Sequence, residues 1–102
     1  MLKFKIRDIP AVAAHLGLEM PDEWTLDDVW PLLDRAREEG AVILLKLDGE
    51  RSRNWYTVVM SGGGMERKDV LHVDSPTMEL AIARVLGEYA VRVWGYTRPV
   101  ER

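Results

Sequence analysis

His72-Val73-Asp74 puts an imidazole and a carboxylate two residues apart, which on a strand is one face. Such a pair could bind a metal if a third ligand came from elsewhere, and would then make the chain a small metal-dependent hydrolase. No H-x-x-E-H or similar motif accompanies it. The plain alternative is a strand-end histidine, with Asp74 helping to cap the helix that follows. His15 falls near the end of a short predicted helix, where an imidazolium complements the dipole better than it serves as a catalytic base. Ser61, His72 and Asp69 supply the residue types of a hydrolytic triad, but nothing in their spacing resembles a nucleophile elbow.

Two further groupings bear on binding. Ser61-Gly62-Gly63-Gly64 offers backbone N–H groups to a phosphate, yet lacks the Gly-Lys-Ser/Thr ending and the helix directly after it, so a flexible turn is the simpler reading. Arg51, Arg53 and Asn54 beside Trp55, with Arg67 and Lys68 on another turn, form a nucleic-acid patch on paper, because guanidinium groups and an adjacent aromatic can hold phosphate and stack a base. The intervening Asp48 and Glu50 and the net charge of -3 oppose it.

That net charge hides an asymmetry: Asp8 to Asp34 holds seven carboxylates and no Lys or Arg, while the remainder nets +4. The segment from Glu19 to Asp28, carrying Asp22, Glu23 and Asp27, would attract a basic partner. A solvated helix face plus a loop is the alternative. Trp24 and Trp94 are placed where exposure is expected, whereas Trp30 and Trp55 fit core positions. An exposed tryptophan beside charge has the character of an interface anchor.

At 102 residues the chain suffices for one domain, with a core over about 9–94 and a looser tail over 95–102. The absence of cysteine excludes a disulfide framework, thiol catalysis and cysteine-based metal sites. Met1 to Asp8 alternates charge with apolar residues and reads as neither signal peptide nor membrane span, so a cytoplasmic protein is expected.

These groups need a frame, and the apolar run Ala41 to Leu47 supplies its centre as a β-strand, paired through the polar link 48–54 with Trp55 to Met60 as an antiparallel hairpin. Both faces of both runs are apolar, so something must cover each: the first two helices on one side and the last on the other, or a second copy of the chain. Asp69 to Asp74 is the third strand. Leu2, Phe4 and Ile6 have the period of a fourth. Ile9, Val12, Ala13 and Leu16 predict a helix stopped by Gly17. Leu26, Val29, Trp30, Leu33 and Ala36 predict another, with Thr25 or Asp28 as its cap. Pro31 calls for a kink near Asp27 or a separate turn in the first case. Ser75-Pro76 starts a final helix through Val93. The expected fold is α+β, in the order (β)ααβββα, with a small antiparallel sheet between or against three helices.

Thr25-Leu26-Asp27-Asp28-Val29-Trp30 opening one helix, Trp55 starting the second hairpin strand, and Asp74-Ser75-Pro76 with Ala81 entering the last helix resemble the small phage proteins of the ABA-sandwich domain group and the NinX-like phage proteins. The likeness covers roughly residues 9 to 90. Pro31 directly after the helical tryptophan and the strand-like N-terminal segment depart from that pattern. The resemblance implies an α+β fold and a phage or prophage origin, hence a host-cell cytoplasm, and no particular activity.

The residues favour a non-enzymatic accessory protein without cofactor or metal. Its acidic surface, Glu19, Asp22, Glu23, Trp24, Asp27 and Asp28, would engage a basic protein. A nucleic-acid-binding protein using Arg51, Arg53, Asn54, Arg67 and Lys68 is the alternative, the metal-dependent hydrolase a second, and a homodimer is compatible with any of them.

Overall fold

The computed structural model describes residues 3–98. Strands β1 (Ala41–Leu47), β2 (Tyr56–Gly62) and β3 (Val70–Ser75) form one antiparallel sheet in the order β1-β2-β3. Helices α1 (Ile9–His15) and α2 (Leu26–Glu38) precede it and α3 (Met78–Val93) follows, an α+β fold of order ααβββα. Register pairs Ile43 with Met60 and Leu45 with Val58 on β1–β2, and Met60 with Leu71 and Val58 with Val73 on β2–β3. These residues share one face, and both α2 and α3 pack against it. The faces are therefore not divided between the first two helices and the last.

Among the described residues no fourth strand is formed. Residues 1 and 2 lie outside the described residues, 3–5 have no regular structure, and Ile6–Asp8 is a 3-10 turn leading into α1. The Asp8 carboxylate accepts the Lys5 backbone N–H at 2.8 Å and closes that turn. Phe4 then packs on Gly87 of α3, where an added Cβ would collide with its ring. Its alternate apolar spacing serves a helix surface rather than a sheet edge. α3 consequently lies between two layers, with the sheet on one side and the 3-10 turn and α1 on the other, and eight of its residues are buried.

Thr25 caps α2: its backbone N–H donates to Asp28 Oδ2 at 2.8 Å and its hydroxyl to the same oxygen at 3.1 Å. Pro31 sits inside this single helix, on its exposed side, so the carbonyl of Asp27 that loses its donor lies where water can replace it. Ser75 does not start α3. It is the last residue of β3, almost fully buried, and Thr77 is the cap, accepting the Leu80 N–H at 3.2 Å. Described residues 95–98 are held rather than loose: Tyr96 is buried against Phe4 and the edge of His15, and Arg98 reaches Asp8 at 3.8 Å.

Candidate functional site

The acidic loop is positioned by the tryptophan that sequence reading exposed. Trp24 is 4% exposed, and its indole N–H donates to the Ile6 carbonyl at 2.8 Å, tying the loop before α2 to the 3-10 turn before α1. An indole at this loop's end has more apolar neighbours inward than outward, and one buried acceptor satisfies its single donor. Trp24 therefore belongs to the scaffold, not to a contact surface.

The carboxylates stay outside. Glu19, Asp22, Glu23 and Asp27 are exposed, and none forms an ion pair among the described residues. Asp28 is occupied by the cap. Glu19 lines a shallow depression whose other walls are Pro10, Ala14, Leu18, Met20 and Pro21, from α1 and the loop after it. The loop thus combines unpaired negative charge with an apolar seat.

The second group of polar residues gathers at one end of the sheet face that no helix covers. Lys46, Thr57 and Asp74 are cross-strand neighbours there. The Thr57 hydroxyl donates to Asp74 Oδ1 at 2.5 Å, Arg51 Nη1 lies 3.1 Å from that oxygen, and His72 Nε2 lies 3.3 Å from it. The Thr57 hydroxyl first, then the Arg51 guanidinium, hold the Asp74 carboxyl down at about 2. Arg51 also bonds Asp48 at 3.2 Å and the Asn54 carbonyl, while the Trp55 indole donates to the Arg51 carbonyl, so the β1–β2 hairpin is a folded unit. His72 and Asp74 do share a face, but among the described residues they are not joined by a third carboxylate or imidazole into a metal-holding group.

The nucleic-acid candidates are split. Arg51, Arg53 and Asn54 lie on the β1–β2 connection, and Arg67 and Lys68 on the β2–β3 connection at the opposite end of β2, some ~20 Å away along a seven-residue strand. Arg51 is engaged internally, whereas Arg53, Arg67 and Lys68 are exposed. Asp69 pairs with Arg92 of α3 at 3.4 Å, which takes it from any Ser61–His72 assembly. The three glycines make a tight approach to α3: Gly62 and Gly63 adopt left-handed φ of 77° and 64°, side chains at Gly63 and Gly64 would run into Tyr89 and Val93, and the Gly64 N–H donates to the Tyr89 hydroxyl at 3.3 Å. His15 donates its Nε2–H to the Trp94 carbonyl at 2.7 Å and fixes the end of α3.

Sequence reading misplaced three of the four tryptophans, Trp24, Trp30 and Trp55, while Trp94 is partly exposed as expected. Trp30 and Trp55 are 54% and 43% exposed, not core residues, and Trp94 is half-buried with its indole on the Glu39 carboxylate at 2.9 Å. Trp30 and Leu33 of α2 with Ile43 and Leu45 of β1 line a cleft of ≈ 170 Å³, below the size of ordinary small-molecule sites. Among the described residues no helix is long and apolar enough to cross a membrane. Comparison with protein-family models, curated proteins and solved structures finds no match for this chain.

Proposed function

We propose that this protein is a non-enzymatic interaction module that docks a basic, amphipathic segment of a partner protein on the loop between α1 and α2. One observation carries the reading: exposed, unpaired Glu19, Asp22, Glu23 and Asp27 occur with an apolar depression walled by Pro10, Ala14, Leu18, Met20 and Pro21. Carboxylates without internal partners keep their attraction for an incoming cation, and steer and orient it more than they hold it. The apolar seat supplies area that charge alone would not. Burial of Trp24 strengthens the reading in one respect, since a loop anchored at both ends gives up less freedom on binding.

The test is a selection of displayed peptides on the protein, counter-selected against the variant Glu19→Gln, Asp22→Asn, Glu23→Gln, Asp27→Asn. These side chains make no ion pairs among the described residues, so the variant should keep its fold. Enrichment of Lys/Arg-rich sequences with interspersed apolar residues, lost on the amide variant and weakened by salt, is expected. Enrichment of sequences that bind both proteins equally, or none, overturns the assignment.

A further inference from the structure

The face of the sheet turned away from the helices has three strands and, among the described residues, no element packed on it. Register sets out its residues in rows. Val42, Ser61 and Val70 form the first, Leu44, Val59 and His72 the second, and Lys46, Thr57 and Asp74 the third. Val42, Leu44 and Val70 are 67%, 57% and 59% exposed. The face is thus apolar at one end and charged at the other, where Lys46 stands on one edge strand and Asp74 on the other, with Thr57 between them nearly buried and Arg51 bridging Asp48 and Asp74.

We infer that a second copy of this chain covers this face, related by a two-fold axis that runs along β2 midway between the two sheets. Such an axis keeps each row opposite itself and exchanges the edges, so β1 of one copy lies over β3 of the other. Val42 then meets the second copy's Val70, Val59 meets its own equivalent, and Lys46 meets the second copy's Asp74. A two-fold running across the strands would instead set Lys46 on Val42 and Asp74 on Val70, leaving both charges on apolar surface. Charge complementarity therefore selects one axis. It also extends an existing pattern: Lys46 lies 3.5 Å from Asp48, and Asp74 is bonded to Arg51, so the contact joins Asp48, Lys46, Asp74 and Arg51 in alternating sign across the interface. Aligned sheets pack about 30° apart, which shifts a residue two positions from the centre by roughly 4 Å, within reach of a lysine.

The area sets the strength. Two seven-residue strands and one of six give a footprint of roughly 14 by 23 Å, about 300 Å² per copy before the Arg51–Trp55 hairpin is counted. Doubled over two copies, that is about half of what a stable specific interface buries, so the contact is a weak one that forms only with concentration. The acidic loop is untouched: α1 packs on α3 from the side away from the sheet, so a dimer presents two docking loops outward.

Sedimentation equilibrium tests the inference on the intact chain. The mass should climb from one chain towards two as the concentration is raised towards about 1 mM, as a weak contact of this size requires. Lys46→Asp and Asp74→Lys should each weaken association by about tenfold or more, while an equimolar mixture of the two should recover it, because both contacts in the mixed dimer are again of opposite sign. Since Asp74 also holds Arg51 and Thr57, Val42→Lys and Val70→Glu form a second pair free of that network, each weakening and their mixture recovering. Circular dichroism confirms that every variant is folded. A single-chain mass up to about 1 mM overturns the inference, as does a dimer that neither mixture recovers, which would place the contact elsewhere, for instance along the free edge of β1.

Discussion

The two faces of one three-stranded sheet make the sharpest contrast in this molecule. Met60, Val58, Leu71 and Val73 on the covered face are buried, whereas Val42, Leu44 and Val70 on the other, from the same strands and of the same chemistry, stand in water. Composition accounts for only part of this difference: Lys46, Thr57, Ser61, His72 and Asp74 make the open face the more polar one, yet Val42, Leu44 and Val70 on it are as apolar as the covered residues. What separates them is α3: small residues Ala83, Gly87 and Ala90 let it sit tightly between the sheet and the N-terminal turn, so the helices gather in layers on one side. A sheet face can be apolar because a layer of the same chain covers it or because it is held for another chain.

Substitutions on the two faces should separate these cases. Met60→Ala should cost about 3 kcal/mol in urea unfolding, since it opens a cavity in a filled core. Leu44→Ala should change the stability of the dilute, single-chain protein by less than about 0.5 kcal/mol and act only on association. A cost above 2 kcal/mol at Leu44 under dilution would erase the distinction between the faces. Gly87→Ala should cost about 1–3 kcal/mol by driving Phe4 from its seat, visible as lost unfolding free energy together with faster hydrogen exchange in the N-terminal turn.

Polar links on the two sides differ in the same way. Behind the covered face, the Tyr89 hydroxyl donates to Glu39 at 2.7 Å, and burial first, then that carboxylate, raises its pKa to about 12. Tyr89→Phe should cost about 1 kcal/mol. Because the folded value lies above the ordinary 10, the stability tied to the neutral phenol is complete below pH 10 and is lost as pH rises through 12, so the variant should show a weaker alkaline decline. On the open face, Asp74 is depressed to about 2, and its contribution is complete above its ordinary 3.8 and disappears as pH falls through 2. Thr57→Val should raise that pKa, read by carboxyl NMR titration, with the smallest effect on stability of the series. An unchanged titration would show that Arg51 and His72 set it without the hydroxyl.

The acidic segment and the hairpin were legible because each is local. Glu19, Asp22, Glu23 and Asp27 remain exposed wherever the loop goes, and alternation in a strand needs no partner to be recognised. Trp24, Trp30 and Trp55 were not legible. Trp24 in a loop is buried because the 3-10 turn offers it a carbonyl acceptor 18 residues away, and Trp30 on the apolar stripe of α2 is exposed because that helix lies at the edge of β1, where the sheet ends. Phe4 likewise has a strand's spacing and a helix's neighbour, since only α3 carries the glycine that admits it.

The sequence by itself determined three helices, the hairpin and third strand, their order and the charge of the first loop, all of which rest on interactions within a few residues, while it left the cap of α2 open between Thr25 and Asp28. Tertiary structure alone decided which face of the sheet the helices take, which tryptophans are core, and that Arg51, Thr57 and His72 converge on Asp74. Those outcomes depend on contacts between residues distant in the chain, where the fit of one surface to another, not the character of either, selects the arrangement.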